Sequence, residues 1–283
     1  MATLDDYKGQ ETAWCPGCGN FGILSSLKKT LVAAKISPHE LTIVSGIGQA
    51  AKLPHYIRCN TFNGLHGRAL PVATGIALAN HKMRVIVTTG DGDCYGEGGN
   101  HLIHAIRRNV NVKVFIHNNQ VYGLTKGQAS PTSGEGMVTK IQTQGVISGQ
   151  ENPLALAISL NCSFVARGYV GDPEFLQTLM TAALEHKGFA LVDILQPCVT
   201  FNHINTYEWY TQRVYRLEED YARDDRVKAF ERSLEWGERI PTGIFYRNNR
   251  RLFEESLAVL GDKPLVKQRT DLKKAGEEVQ ALY

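Results

Sequence analysis

The sequence predicts an α/β fold: a parallel sheet with helices on both faces, followed by a C-terminal helical extension. Three observations carry this. Short continuous apolar runs such as 85–87 and 114–116 alternate with segments of helical period, the pattern of strands buried on both faces. A hydrophobic content of 43% over 283 residues is ample for a buried core. Past residue 208 the chain becomes densely charged, without an internal repeat or a low-complexity linker.

Taken in order, "ILSSLKKTLVAAK" (23–35) has apolar residues at helical spacing and stops before Pro38, and "LTIVSG" (41–46) reads as the first strand. The pattern recurs as helix 68–81 and strand 84–90, then helix 100–109 and strand 112–119. It continues as helix 153–160 and strand 164–170, then a helix opening at Pro173 and a strand over 190–197. The charged stretch 216–239 reads as helix, followed by "IPTGIFY" (240–246) and a polar tail. These charges are most simply solvated faces, with a packing arm for a partner subunit as the sharper reading. A division into residues 1–200 and 201–283 follows.

Charge and cysteine content narrow the function. The formal charge is +3 with Lys and Arg interspersed among Asp and Glu, so no footprint for nucleic acid is visible. The start, "MATLDDYKGQ", lacks a basic, apolar leader, and no stretch has the length to span a bilayer; no membrane association and a cytoplasmic location are expected. In that compartment six cysteines read as metal ligands, catalytic thiols or core residues rather than disulfides.

Two stretches carry chemistry. "WCPGCGN" sets Cys15 and Cys18 at C-x-x-C spacing, which suits a redox dithiol, half a zinc site or half an iron–sulfur site. A redox dithiol would follow a strand and open a helix, whereas only a polar leader precedes this one. "TTGDGDCYGEGGN" places Asp91 between Gly90 and Gly92 at a strand end, and "HNNQVYG" places Asn119 at the end of the next strand. The two turns can face each other across one crevice. Asp91, the Asn119 amide oxygen and a main-chain carbonyl near Val121 then leave octahedral positions on Mg2+ for phosphate oxygens. A diphosphate cofactor is implied, with the following helix amino terminus as an additional anion site. G-x-G-x-x-G with an acidic partner is absent after a strand, which counts against a dinucleotide fold.

GDG, then a helix and a strand, then NN resembles the thiamine diphosphate motif. With "WCPGCG", "VSGIG", "LHGRALPVATG", "YGLTKGQASPTS" and "QPC" in order, the chain resembles the β subunit of 2-oxoacid:ferredoxin oxidoreductases over residues 14–198. The resemblance implies a thiamine diphosphate-binding fold in which Asp91, Asn119 and the Val121 carbonyl hold Mg2+. It places Ile47, Gly48, Gln49, Ala50, His66, Gly92, Asp93, Gly123 and Leu124 around the cofactor, and His66 and Arg68 as diphosphate or substrate partners. Lys126 in "LTKGQ" is a point cation suited to the second carboxylate of 2-oxoglutarate.

By the same resemblance Cys15, Cys18 and Cys198 bind a [4Fe–4S] cluster. Family members usually carry Cys after "GIG"; here that position is Gln49, and Cys59 is the available substitute, while Cys94 and Cys162 lie outside the ligand set. The implied reaction is oxidative decarboxylation of a 2-oxoacid to acyl-CoA and CO2, with electrons passing singly to ferredoxin, and a sufficiently reducing ferredoxin could drive carboxylation. No second, pyrimidine-binding domain fits in this chain, so an α subunit is expected to supply it together with the activating Glu. The competing readings are a pyruvate-specific member, a clusterless thiamine-dependent decarboxylase or carboligase subunit, and a non-catalytic assembly subunit with zinc on Cys15, Cys18 and Cys198.

Overall fold

Ten strands form in chain order: β1 (Leu41–Ser45), β2 (Asn60–Asn63), β3 (Arg84–Gly90), β4 (Val112–Asn118), β5 (Val121–Tyr122), β6 (Gln128–Ala129), β7 (Phe164–Tyr169), β8 (Ala190–Leu195), β9 (Val214–Arg216) and β10 (Ile240–Arg247). The helices are α1 (Asn20–Ala33), α2 (Ala69–Ala79), α3 (Gly99–Arg108), α4 (Pro153–Ser159), α5 (Pro173–Glu185), α6 (Tyr207–Thr211), α7 (Arg226–Ser233) and α8 (Leu272–Gln280). The structure is a computed structural model and describes residues 2–269 and 271–282.

Eight strands join in one sheet in the order β2-β1-β3-β4-β8-β7-β10-β9, with β5 and β6 as a separate antiparallel pair. β1 to β4, β7 and β8 run parallel, as their unbroken burial predicts for β4, β7 and β8. One face is covered by α1 and α5, whose Leu27, Leu31, Leu176 and Met180 pack against Ile43, Phe115 and Val192. The other is covered by α2, α3, α4 and α7 over Val87, Val114 and Leu191. Local caps define several of these helices: Asp172 accepts from Phe175 N–H at the start of α5, and Asn152 from Ala155 N–H at the start of α4.

Two expectations change. The sheet is mixed at its far edge, because β10 runs antiparallel to β7 with a register shift between Ile244 and Tyr246. The segment after residue 200 is therefore continuous with the sheet. The charged stretch 216–239 is helical only over α7. Asp225 accepts from the Val227 and Lys228 N–H groups, so the carboxylate caps a helix there and the chain before it turns. β2 escaped the periodicity because "NTFN" is exposed along its whole length. No helix among the described residues is long and apolar enough to cross a membrane.

Parallel register brings the carboxyl ends of β1, β3, β4 and β8 to one edge of the sheet. The segments that leave them, 46–50, 91–98, 119–127 and 196–201, converge there, where ligands of such sheets bind.

Candidate active site and the adjoining cysteine cavity

Beyond β3 the chain enters a π-helical turn, Gly92–Glu97, before α3; single π turns recur at functional sites. Gly92 is needed for packing, because a Cβ there would lie 2.4 Å from the Tyr122 ring. The turn buries Asp91 to 1% exposure. Ser130 and Thr132 hydroxyls each donate to its Oδ2 at 2.6 Å. Burial pushes its carboxyl up to about 6 despite those two donors, with the buried Asp193 adding to the rise. The Thr132 hydroxyl also lies 2.9 Å from Asn118 Oδ1, tying the segment after β6 to β4.

Asp93, two residues on, is a hydrogen-bonding hub. It accepts from Thr89 Oγ1 at 2.6 Å, Gly67 N–H at 2.7 Å and Ile47 N–H at 3.1 Å, and His66 Nδ1 stands 2.7 Å from it. It thereby clamps the loops after β1 and β2 to the glycine turn. His66 is also 3.5 Å from Glu97.

These segments enclose a cleft of about 460 Å3. All nine residues expected around the cofactor, Ile47, Gly48, Gln49, Ala50, His66, Gly92, Asp93, Gly123 and Leu124, line it, as do Asp91, Asn119 and Val121. Gly90, Tyr122 and Thr125 complete the wall. The donor set fits a divalent cation and a diphosphate. Asp91 is a buried carboxyl group with no ion-pair partner among the described residues, a donor that suits an ion of opposite charge. Among the described residues Asn119 Oδ1 accepts only the Val121 N–H, at 3.1 Å.

Two of the expected residues stand apart. Arg68 is exposed at the start of α2, donates to the Glu97 carbonyl at 3.3 Å and does not line the cleft. Lys126 is exposed on the turn between β5 and β6, with φ of +84°, next to the lining residue Thr125 rather than in the wall.

A second cavity, about 360 Å3, shares Gln49, Asn119 and Gly123 with the first. Cys15, Cys18 and Cys198 all line it. Trp14 anchors the C-x-x-C segment by donating its indole N–H to the Gln49 carbonyl at 2.8 Å and stacking edge-on to Tyr56 at 4.7 Å. Burial raises the Cys18 thiol first, and the neighbouring Cys198 and Cys15 add to it. Among the described residues no three Cys, His, Asp or Glu side chains converge tightly enough for a single metal ion. Three thiols that line one space are of the chemistry that iron–sulfur clusters take as ligands.

Cys59 is the correction. The register Thr42↔Asn60 sets it beside the amino end of β1, while Gln49 lies beyond the carboxyl end, a separation of roughly 13 Å along the strand alone. Its Sγ contacts the Asn60 carbonyl at 3.3 Å, and burial pushes the thiol up to about 12. The cavity takes Gln49, Gln196 and Asn20 instead. Sequence reasoning missed Gln196, whose Nε2 donates to Cys18 Sγ at 3.6 Å, and also Asn20, Ser130 and Thr132. "QPC" and "QASPTS" contained three of the four without any local sign of what they touch.

The family model for the thiamine pyrophosphate enzyme C-terminal TPP binding domain matches residues 43–194. That for the C terminal of the pyruvate ferredoxin oxidoreductase beta subunit matches 198–262. The chain is 47% identical over 270 residues to the 2-oxoacid:ferredoxin oxidoreductase subunit beta of Saccharolobus solfataricus, covering 89% of this chain and 88% of that one. It is 46% identical over 198 residues to the 2-oxoglutarate oxidoreductase subunit KorB of Mycobacterium tuberculosis, covering 70% of this chain and 53% of that protein. Among solved structures, the 2-oxoglutarate:ferredoxin oxidoreductase from Magnetococcus marinus, with 2-oxoglutarate, coenzyme A and succinyl-CoA bound, superposes with a TM-score of 0.91. That match is at 35% identity and covers 98% of this chain and 95% of that one.

Proposed function

The chain belongs to the β subunits of the 2-oxoacid:ferredoxin oxidoreductase family, and on that footing we propose that it decarboxylates 2-oxoglutarate and passes the acyl group to coenzyme A as succinyl-CoA. The observation that carries the reading is Asp91: a carboxyl group buried with no ion-pair partner among the described residues, in a cleft with Asn119 and Val121. Asp91, Asn119 and the Val121 carbonyl would hold Mg2+ and, through it, a diphosphate. Thiamine diphosphate, when bound, supplies the nucleophilic carbon and electron sink that 2-oxoacid decarboxylation needs.

The protein's share is orientation. The 47–50 loop and the β5–β6 hairpin bound the cleft on two sides, and Asp93 holds the first of these in register with the glycine turn. His66, fixed against Asp93, presents an imidazole at the cleft wall as a hydrogen-bond partner for phosphate or substrate. Lys126 at the cleft lip pairs with the far carboxylate of a dicarboxylic 2-oxoacid. Arg68, outside the wall, is given no contact with substrate.

Cys15, Cys18 and Cys198 would hold an iron–sulfur cluster in the adjoining cavity. The wall common to both cavities is formed by Gln49, Asn119 and Gly123, so cofactor and cluster would be neighbours across single side chains, as one-electron exit to ferredoxin requires. The pyrimidine side of the cofactor site is completed by an α subunit. The test is reconstitution with that α subunit, thiamine diphosphate and Mg2+, followed by ferredoxin reduction with 2-oxoglutarate and coenzyme A. Succinyl-CoA formation in the complex and none by the isolated chain is expected. A complex that turned over pyruvate in preference would overturn the substrate.

A further inference from the structure

Gln49 stands between the two cavities and lines both. Its Oε1 is buried with no hydrogen-bond partner among the described residues, an arrangement that costs stability unless something binds there. Its Cγ and the Cys198 Sγ approach the same point beside Gly123, 3.6 and 4.0 Å from where a Cβ on that glycine would sit. Gln49 lines the cavity of Cys15, Cys18 and Cys198. The Trp14 N–H on its carbonyl holds its backbone beside the C-x-x-C segment.

No further thiolate is within reach in this chain. Cys59 lies toward the opposite end of β1, and Cys94 and Cys162 are sealed in the apolar layer of the other sheet face. We propose that the side-chain oxygen of Gln49 takes the fourth vertex of a [4Fe–4S] cluster held by Cys15, Cys18 and Cys198. This rests on the cluster assigned above. Three irons then have soft thiolate ligands and one has a hard, neutral oxygen, which iron holds more weakly. The cluster also carries one negative charge fewer than with four thiolates, which raises its potential. Asn20 Nδ2, with no partner among the described residues, at the cavity wall and the Gln196 Nε2 donor on Cys18 act in the same direction.

The distinctive consequence is an exchangeable iron. One-electron oxidation by ferricyanide converts [4Fe–4S]2+ to [3Fe–4S]+ with release of one Fe2+, the electron reducing ferricyanide to ferrocyanide. The experiment uses the anaerobically purified αβ complex and reads released iron, the electron paramagnetic resonance spectrum and the cluster potential. Stoichiometric ferricyanide should release about one iron of four and produce the three-iron signal, and Fe2+ with dithionite should restore the original spectrum. Gln49→Cys should keep its iron under the same treatment and have a lower potential, while Cys59→Ser should behave as wild type. A wild-type cluster that keeps all four irons through the ferricyanide step would overturn the inference, whether or not Gln49→Cys folds. Loss of iron in Cys59→Ser would overturn it too. Absence of both iron and sulfide from the wild-type complex would instead overturn the cluster assignment itself.

Discussion

Trp14 donates its indole N–H to the Gln49 carbonyl at 2.8 Å, joining the cysteine-bearing leader to the loop that walls the diphosphate cleft. The two residues lie 35 positions apart in the chain, and Gln49 lines both cavities. Trp14→Phe keeps an aromatic ring against Tyr56 and Phe21 and deletes the donor. It should cost about 1 kcal/mol in urea unfolding and lower both iron and thiamine diphosphate per chain. A variant that lost stability but retained both at wild-type levels would show that the bond is purely structural.

Asp91→Asn should separate stability from binding. At pH 7 the cofactor-free protein must ionise a carboxyl that burial has raised from 3.8 to about 6, a penalty of about 3 kcal/mol. The Asn oxygen can still accept from Ser130 and Thr132. Cofactor-free Asp91→Asn should therefore melt higher than cofactor-free wild type while retaining no thiamine diphosphate after gel filtration. Equal retention would remove Asp91 from the cation site.

The pH dependence follows from the same raised carboxyl. Because the folded-state value lies above the unfolded one, the stability this group contributes in cofactor-free protein is fully present below about 3.8. It is lost as pH rises through about 6. Cation binding has the opposite sign, since Mg2+ must displace the proton: affinity should be flat above about pH 7 and fall about tenfold per unit below about 6. Titration calorimetry with Mg2+ and thiamine diphosphate from about pH 5 to about pH 8 reads this directly, and a flat profile would contradict it.

Lys126→Ala leaves the left-handed backbone demand at that position unchanged, since either residue bears a Cβ. On the substrate assignment, kcat/KM for 2-oxoglutarate should fall by about tenfold or more, the worth of one charge-assisted contact, with little change for a monocarboxylic 2-oxoacid. Parallel losses on both would mean that Lys126 supports the hairpin rather than the substrate.

Much of the architecture is legible in the chain because its causes are local. Apolar strands buried on both faces, such as β4 and β8, produce continuous runs that no amphipathic helix has, and Pro173 and Asp172 mark the start of α5. The exposed β2 has no such run. The charge density of 216–239 mimicked a helix, although Asp225 is a cap and β9 an edge strand.

That Asp91 and Asn119 end adjacent strands is written in the chain itself, because one helix and one strand separate them and parallel connections return to the same edge. That Gln49 and not Cys follows "GIG" is equally plain there. Which cysteines come near it is decided only on folding. Cys59 is ten residues from Gln49 along the chain, yet the parallel pairing of β2 with β1 sends it back to the sheet's amino end, because a parallel strand must begin where its neighbour begins. Cys198, nearly 150 residues away, arrives at the cavity because β8 ends at the same edge as β1, β3 and β4. Strand direction, a property of the assembled sheet, sorts the cysteines, and no spacing along the chain records it.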